Sequence, residues 1–188
     1  MEIGKTIETS SQAEETWIAA AQRDPAQFRP LYERYFKPIF LFVLHRVSDK
    51  DTASDITAQT FLKALNRIHQ FQPRGLPFSA WLYRIALNEC TDYYRRQKKV
   101  RTVCMDEEHF ADLYAEMFPE TREEELRNLL PVVLNKLEPG EMQLIELRFF
   151  EALPFRDIAM ILGISEVYAK VRTYRILDKM KRIFQQRV

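Results

Sequence analysis

Apolar residues recur at helical spacing along almost the whole chain, and this periodicity constrains the fold more than any other feature. Only four glycines interrupt the 188 residues, and the longest uninterrupted apolar run covers residues 39–44. Helix-period patterns outnumber alternating ones, so the sequence predicts an all-α protein. No apolar run is long enough to cross a bilayer, so we expect no membrane insertion.

The charge is unevenly distributed, although the net charge is only +1. Residues 31–100 carry 12 Lys and Arg against 6 Asp and Glu, residues 101–130 carry 3 against 9, and residues 131–188 carry 10 against 7. Two basic segments separated by an acidic one suggest two contacts with a polyanion, joined by a connector that avoids it. The sequence therefore predicts two small helical domains, residues 14–100 and 126–188, joined by an acidic linker over residues 101–125.

Several functional classes are disfavoured by what the sequence lacks. No P-loop, GxGxxG, HExxH or CxxC motif is present, and the three histidines lie far apart. We therefore expect no catalytic residues, no metal and no cofactor, and an enzyme is the least favoured class. The first residues are polar and lack the apolar core of a signal peptide, so we expect a cytoplasmic protein. In that compartment Cys90 and Cys104 are expected to be buried small residues, although a disulfide between them is possible in principle.

Residues 155–182 are typical of a helix-turn-helix. An apolar face that includes Leu162 ends at Gly163, which can take the positive φ of a tight turn, and Ser165 can cap the helix that follows. This second helix carries a mostly apolar stripe: Ala169, Thr173, Ile176, Met180 and Ile183. Basic residues cover much of its remaining surface, as in a helix that lies in the major groove of DNA. A packed helical hairpin with a solvated basic face fits this stretch about equally well.

An aromatic and basic segment closes the first half of the chain. Residues 70–77 contain two prolines around an Arg-Gly pair and predict a loop. A long helix follows and ends in two tyrosines and four positive charges within residues 93–99. Such a surface can stack bases and neutralise phosphates. In the alternative interpretation, Phe78 and Trp81 belong to the core and the charges solvate a helix end, and for Trp81 taken singly we favour this alternative.

Four blocks, in this order, resemble the sigma-70 family of bacterial RNA polymerase sigma factors. They are residues 28–35 (FRPLYERY), 51–65 (DTASDITAQTFLKAL), 78–96 (FSAWLYRIALNECTDYYRR) and 157–175. The third block is the most specific, because it is similar to the family pattern F-x-x-W-L-x-x-I-A-x-N-x-x-x-D-x-x-R-R over nineteen positions. The resemblance is to the compact extracytoplasmic-function type, which is built from the second and fourth conserved regions. It implies a transcription initiation factor that has no catalysis of its own.

The resemblance also implies partners and residue roles. One face of the helix expected over residues 51–65 would dock on core RNA polymerase through Asp55, Gln59 and Phe61. The −10 element of promoter DNA, with one base flipped from the stack, would meet a second set: Phe71, Arg74, Phe78, Trp81, Arg84, Asn88, Asp92, Arg95 and Arg96. The −35 element would meet Lys170, Val171, Arg172, Tyr174 and Arg175, with Arg172 on a phosphate. Family members are commonly held by an anti-sigma factor, so this partner is implied as well.

Three positions depart from the family pattern. Thr60 stands where glutamate is usual, and Thr173 weakens the buried stripe of the last helix. Val171 replaces a small polar residue, so it can offer only an apolar contact, for instance to a thymine methyl group. These changes do not alter the fold prediction. They affect which −35 sequence the chain would recognise.

Two other functional classes remain open at this point. A polymerase-independent helix-turn-helix regulator, with N-terminal helices that sense a ligand or dimerise, would explain only the second half of the chain. A pure protein-interaction module would leave the two basic segments without a purpose.

Overall fold

The computed structural model describes residues 12–47, 49–73, 76–97, 113, 116–117 and 129–186. These residues fall into two compact units, an N-terminal unit up to residue 97 and a C-terminal unit from residue 113. Within the described ranges the regular structure is entirely helical, which confirms the predicted all-α fold. The predicted linker, residues 101–125, lies almost wholly outside them, and the predicted domain boundaries stay predictions.

The described residues of the N-terminal unit form four α-helices. They are α1 (Gln12–Arg23), α2 (Arg29–Val47), α3 (Lys50–Arg67) and α4 (Phe78–Gln97), with 3-10 turns at Pro25–Phe28 and Ile68–Gln70. The side chain of Asp49 begins α3 by accepting a hydrogen bond from the backbone N–H of Thr52 at 2.8 Å. Such a cap satisfies a donor that the first helical turn would otherwise leave open.

Aromatic rings from the turn before α2, from α3 and from α4 meet in the core of this unit. The ring of Phe28 makes T-shaped contacts with Phe61 and Phe78 at centroid distances of 6.5 and 6.4 Å. Leu31 and Ile39 on α2 are fully buried. Cys90 is buried in α4, as predicted, whereas Cys104 lies outside the described residues.

Helix α1 is fastened to the rest of this unit by one buried and one part-buried set of polar contacts. The carboxylate of Glu14 accepts a hydrogen bond from the Tyr35 hydroxyl at 2.5 Å and lies 3.5 Å from Arg34 Nε. Burial and the hydrogen bond to Glu14 raise the pKa of Tyr35, so its hydroxyl keeps its proton. At the other end, Gln22 Nε2 donates to the carbonyl oxygens of Ile68 at 3.0 Å and Phe71 at 2.8 Å. α1 therefore holds both α2 and the start of the loop before α4.

Within residues 129–186, the C-terminal unit contains four further α-helices. They are α5 (Leu130–Leu134), α6 (Pro139–Ile145), α7 (Phe155–Leu162) and α8 (Glu166–Gln185), with a π-helical turn at Glu146–Phe150 after α6. The two buried stripes differ slightly from prediction. Ile161 of α7 is buried while Leu162 is half-buried. Phe184 replaces Ile183 at the end of the α8 stripe, because Phe184 lies seven residues, about two full turns, from the buried Leu177.

Candidate nucleic-acid interface

The turn between α7 and α8 fixes the direction of α8. Gly163 has φ 69° and ψ 36°, a left-handed conformation that glycine adopts without steric cost. The backbone N–H groups of Gly163 and Ile164 both donate to the carbonyl oxygen of Ala159, at 2.9 and 3.1 Å. Ser165 Oγ then accepts from the N–H of Tyr168 at 3.2 Å and begins α8. The helix-turn-helix predicted from sequence is present, with both predicted turn residues in their predicted roles.

One side of α8 is buried against its own unit and the opposite side is exposed. All five residues predicted to read the −35 element are exposed there: Lys170, Val171, Arg172, Tyr174 and Arg175. We call these five residues the α8 face. The structure thus brings all five together on one exposed surface.

Two side chains of the α8 face are held by aromatic neighbours. Arg172 Nη1 donates to the Tyr168 hydroxyl, and its guanidinium lies 5.7 Å from the centroid of the Tyr168 ring. The Tyr174 ring lies 6.3 Å from the ring of Phe155, the first residue of α7. Sequence reasoning did not identify Tyr168, although its spacing of four residues from Arg172 puts the two side chains side by side on a helix.

A carboxylate lies beside the α8 face. Glu141 Oε2 accepts hydrogen bonds from Lys179 Nζ at 2.6 Å and from the backbone N–H of Glu138 at 2.9 Å. Burial would raise the pKa of Glu141, but these two hydrogen bonds and the charges of Lys179 and Arg172 outweigh it and lower the pKa. A groove of about 250 Å³ adjoins the carboxylate, and α8 lines it with Tyr168, Val171, Arg172, Arg175 and Ile176. Glu141 and Lys179 are 38 residues apart, so no local pattern could have revealed this pair.

In the N-terminal unit, three aromatic rings pack together where the loop enters α4. The centroid of Phe71 lies 5.4 Å from that of Phe78 and 5.1 Å from that of Trp81. Phe71 and Phe78 are buried, whereas Trp81 is half-buried. The prediction of direct DNA contact is therefore corrected for Phe71 and Phe78: their side chains are covered by the protein and support the surface from beneath. Arg74 lies outside the described residues.

The remaining predicted −10 residues lie along the accessible side of α4. Asn88, Arg95 and Arg96 are exposed, and Arg84 and Asp92 are half-buried. Arg95 Nη2 lies 3.0 Å from Asp92 Oδ1, which fixes these two side chains together.

A polar groove of about 320 Å³ runs beside this side of α4 and is lined by Asn88, Asp92 and Lys63 among others. Lys63 on α3 also pairs with Glu89 at 2.5 Å. This ion pair holds α4 against α3.

The third predicted surface lies on α3. Asp55 and Gln59 are exposed, but Phe61 is buried and its ring packs against Tyr32 at 4.8 Å. The predicted direct docking contact by Phe61 is therefore corrected to a core role. Three large apolar side chains beside this surface are exposed instead: Tyr32, Phe36 and Leu62. We call these three residues the α2–α3 patch, which sequence reasoning assigned to the core or overlooked.

None of the described helices has the length and apolar character needed to span a membrane. In the same part of the chain, no three His, Cys, Asp or Glu side chains come together in a way that could hold a metal ion.

The chain matches two models of one protein family. Residues 31–100 match Sigma-70 region 2, and residues 133–182 match Sigma-70, region 4. These ranges contain α4 with the preceding loop and the helix-turn-helix, respectively.

Similar proteins carry the same family name. The chain is 32% identical to the ECF RNA polymerase sigma factor BldN of Streptomyces coelicolor over 158 residues, which cover 83% of this chain and 60% of BldN. It is 31% identical to the RNA polymerase sigma factor SigV of Bacillus subtilis over 137 residues, which cover 72% of this chain and 77% of SigV.

Solved structures share the fold. CnrH, in complex with the cytosolic domain of CnrY, has a TM-score of 0.59 at 22% identity, over 93% of this chain and 99% of CnrH. RpoE of Bartonella quintana, in complex with the anti-sigma factor NepR, has a TM-score of 0.55 at 19% identity, over 84% of this chain and 96% of RpoE. Together with the two family matches, the relatives at 31 and 32% identity establish the assignment. The chain belongs to the sigma-70 family of RNA polymerase sigma factors, in its extracytoplasmic-function subgroup.

Proposed function

We propose that this sigma factor binds core RNA polymerase through α3 and directs it to promoters by contacting DNA at two places. The −35 element meets the α8 face, and the −10 element meets α4 and the loop before it. The observation that carries the proposal is the α8 face itself, an exposed surface with three cations on a helix whose opposite side is buried. The sigma factor performs no chemistry of its own, and the polymerase catalyses the reaction.

At the −35 element, the first turns of α8 lie in the major groove of the duplex. An arginine can donate two hydrogen bonds to one guanine there. This pair of bonds favours guanine over the other bases by about 1–3 kcal/mol. Arg175 lines the groove on the protein surface beside Glu141, and it is suited to this contact with a guanine. Arg172, held by Tyr168, is suited to a phosphate, which fixes register on the duplex.

At the −10 element, α4 captures one strand after the duplex opens. Flipping a base from the stack costs a few kcal/mol, which stacking on an aromatic ring and a cationic surface can offset. Trp81 is the aromatic ring still accessible in the Phe71–Phe78–Trp81 cluster, and Asn88 and Asp92 offer hydrogen bonds along the same side of α4. Arg95 and Arg96 lie at the end of this line and attract the phosphate backbone.

The polymerase contact is proposed for the exposed side of α3. Asp55 and Gln59 provide polar contacts, and the neighbouring α2–α3 patch provides apolar area. An exposed patch of this kind, rimmed by polar residues, is typical of a protein-binding surface. An anti-sigma factor that covers the same surface would compete with the polymerase, so we propose one as a second partner. Because both the polymerase and promoter DNA are cytoplasmic in bacteria, we assign the chain to that compartment.

Run-off transcription with purified core polymerase tests the proposal. Adding the chain to core enzyme should give promoter-specific starts on fragments of its own genome, and core enzyme alone is the control. The absence of any specific start on every fragment would contradict the proposal. Binding of the free protein to duplex DNA separates the alternative regulator, since such a regulator binds its operator without polymerase and this chain should largely fail to do so.

A further inference from the structure

Apolar side chains form the outermost strip of α8. Val167, Val171 and Tyr174 are exposed by 72, 44 and 44%, although large apolar side chains are usually buried. They are spaced four and three residues apart, so at 3.6 residues per turn they fall within about 60° around the helix. We call these three residues the apolar strip. It lies on the side of α8 opposite to the buried residues Ala169, Ile176 and Met180.

Cations flank the apolar strip on both sides. Lys170 lies on one side, and Arg172 and Arg175 lie on the other, all of them exposed. Asp178 follows the strip one turn after Tyr174 and is also exposed, so the strip is confined to the first three turns of α8. An apolar centre between two cationic edges complements the major groove, where the walls carry phosphates and the floor presents base edges.

Two residues of the apolar strip are restricted in different ways. Tyr174 leans on Phe155 of α7 at 6.3 Å, which limits its movement. Val171 is β-branched and has one strongly preferred rotamer in a helix. Neither Val167 nor Val171 can donate or accept a hydrogen bond through its side chain. What they can recognise on the floor of the groove is a methyl group, and thymine is the base that presents one.

We propose that the apolar strip reads the C5-methyl groups of thymines in the −35 element. This inference rests on the proposed function of α8 and adds the chemical group that is recognised. Thymine is then distinguished by contact of its methyl group with Val167 or Val171, and the flanking cations supply affinity for the backbone. The −35 element of this sigma factor should therefore contain thymines opposite the first three turns of α8.

Deoxyuridine substitution provides the test, because it removes the methyl group and leaves the hydrogen-bonding edges of the base unchanged. Holoenzyme reconstituted from the full chain and core polymerase first selects its −35 element from a library randomised at that element. Each thymine of the selected element, on either strand, is then replaced by deoxyuridine, and initiation is measured by run-off transcription. Loss of one buried methyl group should lower initiation at subsaturating holoenzyme about fourfold.

Two variants assign the effect to the apolar strip. In Val171→Ala, the deoxyuridine penalty at the thymine that Val171 contacts should disappear, because the methyl group no longer has a partner. Gln185→Ala is the matched control, since Gln185 is exposed on the last turn of α8. The full deoxyuridine penalty should remain in this variant. Circular dichroism checks that both variants fold.

The outcomes separate this inference from the proposed function. A selected −35 element that shows no deoxyuridine penalty at any thymine overturns the inference and leaves the proposed function standing. Equal losses on thymine and deoxyuridine templates for Val171→Ala and for Val167→Ala, tested in the same way, overturn it as well, because neither side chain of the apolar strip then reads a methyl group. If the holoenzyme selects no −35 element, the proposed function fails and the inference fails with it.

Discussion

Arg172 and Arg175 differ in how the protein holds them, although both are exposed on α8. Arg172 is tied to the hydroxyl and the ring of Tyr168, one turn earlier. Arg175 lines the groove next to Glu141 and carries no comparable tether within the part of the chain that the structure describes. A tethered cation suits a fixed phosphate, whereas an untethered guanidinium can turn its planar fork towards a base. The two arginines therefore belong to different classes of DNA contact.

Replacing Arg175 tests its proposed base contact. Arg175→Ala should weaken binding of the holoenzyme to its −35 element by about 1–3 kcal/mol and relax specificity at one base pair. Competition binding with the selected element and single-base variants measures both effects. Arg182→Ala, an exposed arginine two turns later on α8, is the control and should keep the specificity profile. Equal losses on all sequences for Arg175→Ala would reassign Arg175 to a phosphate.

Glu141 links stability to pH. Because its pKa in the folded protein is lowered, its charged form stabilises the fold above the ordinary carboxylate pKa of 4.5, and this contribution is lost as the pH falls through the folded pKa. Glu141→Gln should therefore lower the free energy of unfolding at pH 7 by roughly 0.5–1.5 kcal/mol, the usual range for one hydrogen bond. The difference between wild type and variant should shrink below pH 4.5.

Urea unfolding followed by circular dichroism at pH 7 and pH 3.5 measures this difference. Tryptophan fluorescence is unsuitable, because Trp17 and Trp81 both lie in the N-terminal unit. A difference that stays constant between the two pH values would show that the carboxylate charge of Glu141 is not responsible.

At the scale of single elements, the orientation of α8 depends on one left-handed residue. Any other residue at position 163 must adopt φ near 69°, which costs about 1–2 kcal/mol for a side chain with a Cβ atom. Gly140 in α6 offers the matched comparison, because a Cβ atom built there meets nothing within 4 Å. The same substitution should therefore have opposite signs at the two glycines.

We predict that Gly163→Ala destabilises the protein by about 1–2 kcal/mol, whereas Gly140→Ala stabilises it by up to about 1 kcal/mol. Urea unfolding of the full chain, followed by circular dichroism, gives both values. Gly163→Ala should also reduce −35 binding, since the turn positions the α8 face. If both variants changed stability in the same direction, backbone conformation at position 163 would not be the cause.

Local signals account for what the sequence predicted at this scale. Gly163 and Ser165 act within a few residues of their positions, so their roles in the turn and cap were predicted correctly. The burial of Phe71 depends on rings of α4 and was not foreseen from its position in the loop. Helical spacing, by contrast, already places Phe61 on the buried side of its helix, and the sequence left Phe78 open between core and surface. Likewise, the pairs Glu141–Lys179 and Lys63–Glu89 join residues 38 and 26 apart, and no spacing rule links them.

For the whole molecule, the two units divide promoter reading between them. Each carries one proposed DNA surface, and only the N-terminal unit carries the proposed polymerase surface. Two modest contacts on one chain reinforce each other, since the first to form raises the effective concentration of the second. A defect in one DNA surface should therefore depend on the promoter, whereas a defect in polymerase binding should affect every promoter.

Asp55→Lys tests this division. Reversing the charge on the exposed side of α3 should weaken binding to core polymerase about tenfold or more, with equal losses of transcription at all promoters. Native gel titration of core enzyme measures the binding. Ser54→Lys is the control, since Ser54 is also exposed on α3 but lies about 100° around the helix. Wild-type binding by Asp55→Lys would remove Asp55 from the polymerase surface.

Gln22 of α1 should be unusually sensitive to mutation because of what its side-chain amide holds. It donates both of its hydrogen bonds to carbonyl oxygens, of Ile68 and Phe71, and so holds the chain where it enters the loop before α4. Glutamate has the same shape but no hydrogen to donate, so a single-nucleotide change in the Gln22 codon would set a carboxylate against two carbonyl oxygens. A mutational scan would score position 22 as promoter-reading, although the amide of this half-buried residue is engaged with two carbonyl oxygens of its own protein.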